Sequence, residues 1–133
     1  MSHFKKENKI DRELLKKEAE ALLKQNIDTT EDVIAIFDID LNYKLANQSA
    51  CKLMKKTRLE LEGNNLLQLF PQLTASVSHR HLLTAVSGKT IIDATSEGYV
   101  TKAGAKFTTN YYPLKNEQGV YAVLAVIKKI YFP

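Results

Sequence analysis

Apolar and polar positions along the 133-residue chain change their period several times, and each change marks a new element. Ile10 to Gln25 is built of strong helix formers without glycine or proline. Leu15, Ala19 and Leu22 form one i, i+4, i+7 stripe; Ile10, Leu14 and Ala21 form a second beside it. A strict heptad would place Lys17 and Lys24 on the seam. The apolar face is therefore broad, suited to packing on a domain or a partner rather than to a long coiled coil. Glu13–Lys17 and Glu20–Lys24 add i, i+4 pairs on the polar side. A break at residues 26–30 precedes Val33-Ile34-Ala35-Ile36-Phe37, an apolar run that suits a strand buried on both faces. Asp38 to Asn42 is a turn, and Tyr43 to Ala46 returns as the second strand of a hairpin.

Helical spacing then takes over. Asn47 is placed to cap a helix from Gln48 to about Lys56, with Ala50, Leu53 and Met54 on one side. Thr57 to Glu62 makes a short helix ended by Gly63, and Leu66 to Phe70 makes an apolar turn stopped by Pro71. Val77 to Val86 is a longer helix that ends at Ser87-Gly88-Lys89. Three strand signals follow: Ile91 to Val100, Lys106 to Leu114 and Val120 to Tyr131, the last two joined by a turn at Asn116-Glu117-Gln118-Gly119. The predicted class is α+β, an antiparallel sheet with helices packed on one face, preceded by an N-terminal amphipathic helix. The division is residues 1–27 for the leading helix and 28–133 for the domain. In the last strand Tyr121, Val123, Ala125 and Ile127 share one face, and Ala122, Leu124 and Val126 share the other. Both faces are apolar, so both need a cover. The internal helices supply one; the leading helix or a second subunit is the candidate for the other.

Composition narrows the picture. One core is expected at this length. An apolar content of 44% and a charged content of 26% are those of an ordinary globular domain. No apolar run approaches the ~20 residues of a membrane helix, and Met1 to Lys9 lacks a hydrophobic signal core. The expectation for this chain is a cytoplasmic location with no membrane contact. The single cysteine, Cys51, forms no internal disulfide. It is either a small buried hydrophobe or a reactive thiol, and burial is the expectation. The net charge is +4, and the densest basic group is Lys52, Lys55, Lys56 and Arg58. Tryptophan is absent and no tyrosine interleaves with these bases, so a solvated helix end is expected there rather than a nucleic-acid patch.

At this point a family resemblance enters. Asp38 followed nine positions later by Asn47 resembles the first hairpin and helix of the PAS family, and Asn47-Gln48-Ser49-Ala50 is similar to its Asn-x-x-Ala helix opening. Thr57-Arg58-Leu59-Glu60-Leu61-Glu62-Gly63 resembles its Ser/Thr-x-x-Glu-Leu-x-Gly segment. Leu69-Phe70-Pro71, Ala85-Val86-Ser87-Gly88 and Pro113-Leu114 before Gly119 resemble later signatures, in order, over about Thr29 to Tyr131. The chain departs from the pattern at Leu41, where the family often has glycine; Asn42 is the residue expected to supply the left-handed conformation instead. Lys128-Lys129-Ile130-Tyr131 also replaces the family's Asp-Ile-Thr type junction. The resemblance implies a PAS-like five-stranded sheet and a sensory module of a histidine kinase or transcription regulator in a two-component system. Such a module binds a small ligand or relays a signal through dimerisation, with the leading helix as dimerisation element. The alternatives are a ligand-free docking or dimerisation module and, less favoured, a haem sensor.

The residues bear on cofactors and chemistry. The light-sensing Gly-x-Asn-Cys-Arg-Phe-Leu-Gln motif is missing around Cys51. Haem-binding relatives carry a histidine about four residues before the terminal glycine of the long helix; here that position is Thr84, with His79 and His81 nine and seven residues before Gly88. On a helix those two histidines diverge by about 200°, which disfavours a shared metal site and makes exposed helix histidines the expectation. There is no flavin or haem signature, and the cofactor is left unknown. No phosphate loop and no assembled nucleophile, base and orienting group point to an enzyme. A ligand recess between the sheet and the long helix would be lined by Phe70, Leu82, Val86, Thr109, Tyr111 and Ala125, residues that equally suit a filled core. A homodimer or lid contact would run through Ile10, Leu14, Leu15, Ala19 and Leu22.

Overall fold

A computed structural model describes residues 27–98 and 105–131. The leading-helix positions Ile10, Leu14, Leu15, Ala19 and Leu22 lie outside the described residues. The five strands are β1 (Val33–Asp38), β2 (Tyr43–Ala46), β3 (Ile91–Gly98), β4 (Ala105–Asn116) and β5 (Gly119–Tyr131). Between β2 and β3 come α1 (Gln48–Met54), α2 (Arg58–Leu61), α3 (Leu66–Leu69), a 3-10 turn (Pro71–Leu73) and α4 (Val77–Val86). The sheet is antiparallel throughout, in the order β2-β1-β5-β4-β3. The most apolar strand, β5, is thus the central one. Its inner side chains Val123, Ala125 and Ile127 join the main core with the helices, whereas Ala122, Leu124 and Val126 join a separate outer cluster.

Each helix starts where a side chain can accept an otherwise unpaired N–H. Asn47 caps α1, Asn65 caps α3 and Ser76 caps α4. Thr57 and Glu60 form a reciprocal capping box on α2. The Thr57 backbone and hydroxyl hydrogen bonds hold the Glu60 carboxyl below its usual pKa. Helix α1 ends at Lys55, whose φ of 56° is left-handed, and α4 ends before Gly88 at φ 108°.

Asn47 does far more than cap. Its side chain is fully buried. Its Oδ1 accepts from the Ala50 N–H at 2.9 Å and from the Ile34 N–H of β1 at 3.0 Å. Its Nδ2 donates to the Ile27 carbonyl at 2.8 Å and to the Asp32 carbonyl at 2.9 Å. Both donors and both acceptor sites of the amide are used, and one side chain joins β1, α1 and the chain entering the domain.

The β1–β2 turn is built on Asp38. Its Oδ1 accepts from the Asp40 and Asn42 N–H groups, each at 2.9 Å, and its Oδ2 accepts from Asn42 Nδ2 at 3.0 Å. Partial burial alone would raise the Asp38 pKa, but the bonds from Asn42 and Asp40, with Lys44 nearby, outweigh it and lower the pKa. The left-handed residue of this turn is Leu41, at φ 67°, and not Asn42 as the sequence suggested. Leu41 tolerates the strain because its side chain is buried in the main core and its carbonyl accepts from the Leu66 N–H at 2.9 Å. Residues 63–65 also bond along β2: the Gly63 N–H donates to Tyr43 O, and the Tyr43 N–H donates to Asn64 O. The short edge strand is thereby covered rather than left open.

Strand β3 differs from a plain strand. Its pairing to β4 slips between Ile91 and Ala94, Asp93 sits at φ 54°, and the Asp93 N–H donates to Asn110 Oδ1 at 2.8 Å. A bulge bends this edge and turns Ile92 outward.

Two measurements test these supports. Asn47→Asp keeps the shape and the cap but sets a carboxylate oxygen against the Ile27 and Asp32 carbonyls, so it is expected to cost about 3–5 kcal/mol in urea denaturation. A loss below about 1 kcal/mol would remove Asn47 from its central place. For Asp38, a folded pKa below the unfolded value adds stability that is present above about pH 4 and lost as pH falls through the folded pKa. The stability gap between wild type and Asp38→Asn should therefore shrink between about pH 5 and pH 3; a gap that holds constant or widens there contradicts the assignment.

Candidate functional site

The inner face of the sheet has an unusually small floor. Ala46, Ala35, Ala125, Tyr111 and Ile91 form one row across the five strands. Its three alanines lie side by side on β2, β1 and β5. The paired Ala35 and Ala125 keep 8% of their accessible surface, whereas the outer-face neighbours Leu124 and Ile34 keep 0% and 2%. All three alanines belong to the same buried cluster as Leu82 and Ala85 of α4. The roof is α4, which packs on β3, β4 and β5.

Of the residues predicted to line a recess here, Phe70, Leu82, Tyr111 and Ala125 join one buried cluster, and Val86 packs against its edge. Thr109 is buried on β4 two residues from Tyr111. The structure thus gathers all six between α3, α4 and the inner sheet face. Tyr111 connects the two layers. Burial raises the pKa of its phenol, and hydrogen bonds with Ser78 of α4 and Thr109 of β4 act in the opposite direction. The phenol therefore stays protonated and serves as a hydrogen-bonding group across the seam.

His81 corrects the expectation of exposed helix histidines. It is half-buried, and its ring stacks at a tilt on Tyr111 with centroids 5.6 Å apart. Its Nδ1 is buried and has no hydrogen-bond partner. A buried ring nitrogen without a partner is costly, so this atom is the chemically unfinished point of the seam. His79 is half-buried as well, and its Nδ1 accepts from the Ala75 N–H at 3.0 Å. The sequence signal that could have singled out His81 was its place next to Leu82, one residue from the helix's buried side.

An open groove of about 340 Å³ is lined by Asp28, Gln48, Cys51 and Arg58. Its walls are already committed to each other. Arg58 pairs with Asp28, whose Oδ1 also accepts from the Gln48 N–H at 2.9 Å. Cys51 is half-buried rather than fully buried. Burial raises its thiol pKa, and the neighbouring Arg58 only partly opposes this. The basic group disperses too: Lys56 lies over the Phe70 ring, Nζ 5.7 Å from its centroid, while Lys52 and Lys55 face solvent at the end of α1. Among the described residues no group of three or more His, Cys, Asp or Glu side chains is arranged to hold a metal ion. None of the described helices is long and apolar enough to cross a membrane.

With this geometry in place, comparison with known proteins decides the family. The family described as the PAS fold matches residues 27–130. This chain belongs to the PAS family. Solved PAS-type structures agree at the level of fold. A sensory box sensor histidine kinase from Vibrio cholerae superposes with a TM-score of 0.65 at 17% identity, covering 87% of this chain and 94% of that one. A domain of a sensory box sensor histidine kinase/response regulator from Geobacter sulfurreducens gives 0.57 at 17% identity, covering 85% and 92%. The PAS domain of nitrogen regulation protein NR(II) from Vibrio parahaemolyticus gives 0.55 at 19% identity, covering 77% and 92%. A comparison with curated protein sequences gives no significant match. The PAS assignment accounts for the five-stranded antiparallel sheet and for the helical crossover between β2 and β3.

The raised thiol pKa makes Cys51 a slow nucleophile. At pH 7 its reaction with a disulfide reagent such as Ellman's should run well below the rate of free glutathione and rise steeply above about pH 9. A rate at pH 7 equal to or above that of glutathione would reverse this conclusion.

Proposed function

We propose that this PAS domain is the sensory module of a signal-transduction protein of the histidine kinase or transcription-regulator type, and that the signal is a small molecule received between α4 and the inner sheet face. The observation that carries this reading is the buried, unpartnered Nδ1 of His81 on the Tyr111–Ser78–Thr109 seam. The floor beneath it is made of the short side chains Ala35, Ala46 and Ala125, so the body of a fitting ligand would be compact and apolar. A fitting ligand pairs that body with one polar group that hydrogen-bonds His81. Its binding would stiffen α4 against β4 and β5, and a change in that packing is what the sheet can pass to neighbouring segments. The bound molecule needs no catalytic partner in this arrangement.

A thermal-shift panel of small metabolites tests the proposal. A ligand present at about 100 times its dissociation constant adds roughly 2.7 kcal/mol, which raises Tm by about 10 °C for a domain of this size. The variant His81→Phe should be slightly more stable without ligand, since it removes an unpaired buried nitrogen, and should lose the ligand-induced shift. If no compound shifts the wild type and native mass spectrometry finds no small molecule carried by the protein, the sensory reading fails and a ligand-free docking module replaces it. A visible spectrum after haem supplementation separates the remaining alternative: a colourless sample excludes a haem sensor.

A further inference from the structure

The seam under α4 is polar but carries no buried charge. The groups that meet there are the Tyr111 phenol, the hydroxyls of Ser78 and Thr109, and the His81 ring. Among the described residues, Asn47 and Thr109 are the buried polar side chains, and no charged side chain is fully buried. On α4, Arg80 is exposed and His79 Nδ1 already accepts from the Ala75 N–H. At the border, half-buried Lys56 lies over the Phe70 ring. A charged ligand group set against His81 would lose its water without a buried opposite charge to replace it, which costs far more than desolvating a neutral group. The imidazole also sets the direction of the hydrogen bond. When neutral it carries one proton, on Nδ1 or on Nε2. A proton on Nδ1 would strand an N–H at a buried atom that has no partner. Nε2 is not among the buried, unpartnered atoms, so the proton is held there at lower cost. Nδ1 is then a bare acceptor, and only a donor completes it.

We propose that this site takes an uncharged molecule whose compact aliphatic body carries one O–H or N–H group, and that this group donates to His81 Nδ1. The inference rests on the sensory reading above and narrows it to a ligand class: alcohols and neutral amides, as against carboxylates, phosphates and ammonium ions. The floor sets the body. Ala35, Ala46 and Ala125 lie side by side on β1, β2 and β5, so the body meets methyl groups and no polar atom there. The seam sets the head group. The Tyr111 phenol is already engaged with Ser78 and Thr109, which leaves His81 to read the ligand's donor. A ketone of the same skeleton offers only an acceptor and leaves Nδ1 as it was. A single donated hydrogen bond separates the two by roughly tenfold in affinity. With its head on α4 and its body on β1 and β5, one small molecule ties the helix to the sheet.

The test uses the full chain with 15N-labelled histidine, at about pH 8, where an imidazole is neutral. The probes share one skeleton: cyclohexanol, cyclohexanone, cyclohexanecarboxylate and cyclohexylammonium, each added to millimolar concentration. Binding is read from the His81 ring nitrogens and from the alanine methyl signals. In the free protein the proton should sit on Nε2; a proton on Nδ1 overturns the proposal before any probe is added. Cyclohexanol should move the Nδ1 resonance and bind about tenfold more tightly than cyclohexanone, and both ions should bind at least about a hundredfold more weakly than the alcohol. In His81→Phe the alcohol and the ketone should bind alike. A preference for the alcohol that survives in this variant does not come from His81 and overturns the proposal. If the ketone or either ion binds wild type as tightly as the alcohol, the ligand class is wrong while the small-molecule reading stands. If no probe binds, the class falls too, and the metabolite panel described above decides the sensory reading separately.

Discussion

One side-chain amide stands at the junction of this domain. Asn47 is wholly buried, and its four hydrogen-bonding positions are matched to backbone groups from three stretches of chain. The first strand, the first helix and the entering linker meet there. Val33 and Ala35 of β1 and Ala50 of α1 share the main core, and the bonds of Asn47, directional as packing is not, fix how the segments meet. An unsatisfied buried amide is expensive, so the arrangement is close to all-or-none. The PAS sheet can then place β1 next to β5 in the centre while the chain leaves β2 to build the helical layer.

The two faces of that sheet are unequal. The outer face is lined mainly by branched aliphatic residues, Ile34, Ile36, Leu114, Leu124 and Val126. The inner face puts alanines at its centre and polar atoms at its seam with α4. The central strand β5 contributes to both layers. Packing changes on one face reach the other through the same backbone, because side chains of adjacent β5 residues point to opposite sides.

Much of this was legible in the sequence. The residues of all five strands and the cap at Asn47 follow from period and composition, and β5 declared itself by being apolar on alternate positions of both registers. The strand order was not legible from spacing, since pairing of β1 with β5 is a contact between distant segments. The bulge at Asp93 was hidden because aspartate in a strand reads only as a polar position, and its bond to Asn110 is tertiary. The recess residues could be gathered by helix and strand phase, but whether they leave space depends on Ala35 and Ala94 opposite them. His81 was set aside because its spacing from Gly88 fits no haem pattern; its buried nitrogen is a property of the packed seam. Cys51 was expected inside and lies at the groove edge, since α1 is too short to bury more than Ala50 fully.

Leu41 carries a consequence for how the domain opens. A left-handed backbone costs a leucine about 1–2 kcal/mol, and burying its side chain returns about 1.5–3 kcal/mol. The turn is therefore favourable only while α3 and the core are in place to receive that side chain. Glycine there would let the hairpin close by itself. With leucine, β2, its turn and residues 63–66 form one cooperative unit, linked by the Leu66-to-Leu41 and Gly63-to-Tyr43 hydrogen bonds. These bonds tie the edge of the sheet to the helical layer, so amide protons of β2 and of the α2–α3 connection are expected to exchange with solvent together while β4 and β5 stay paired.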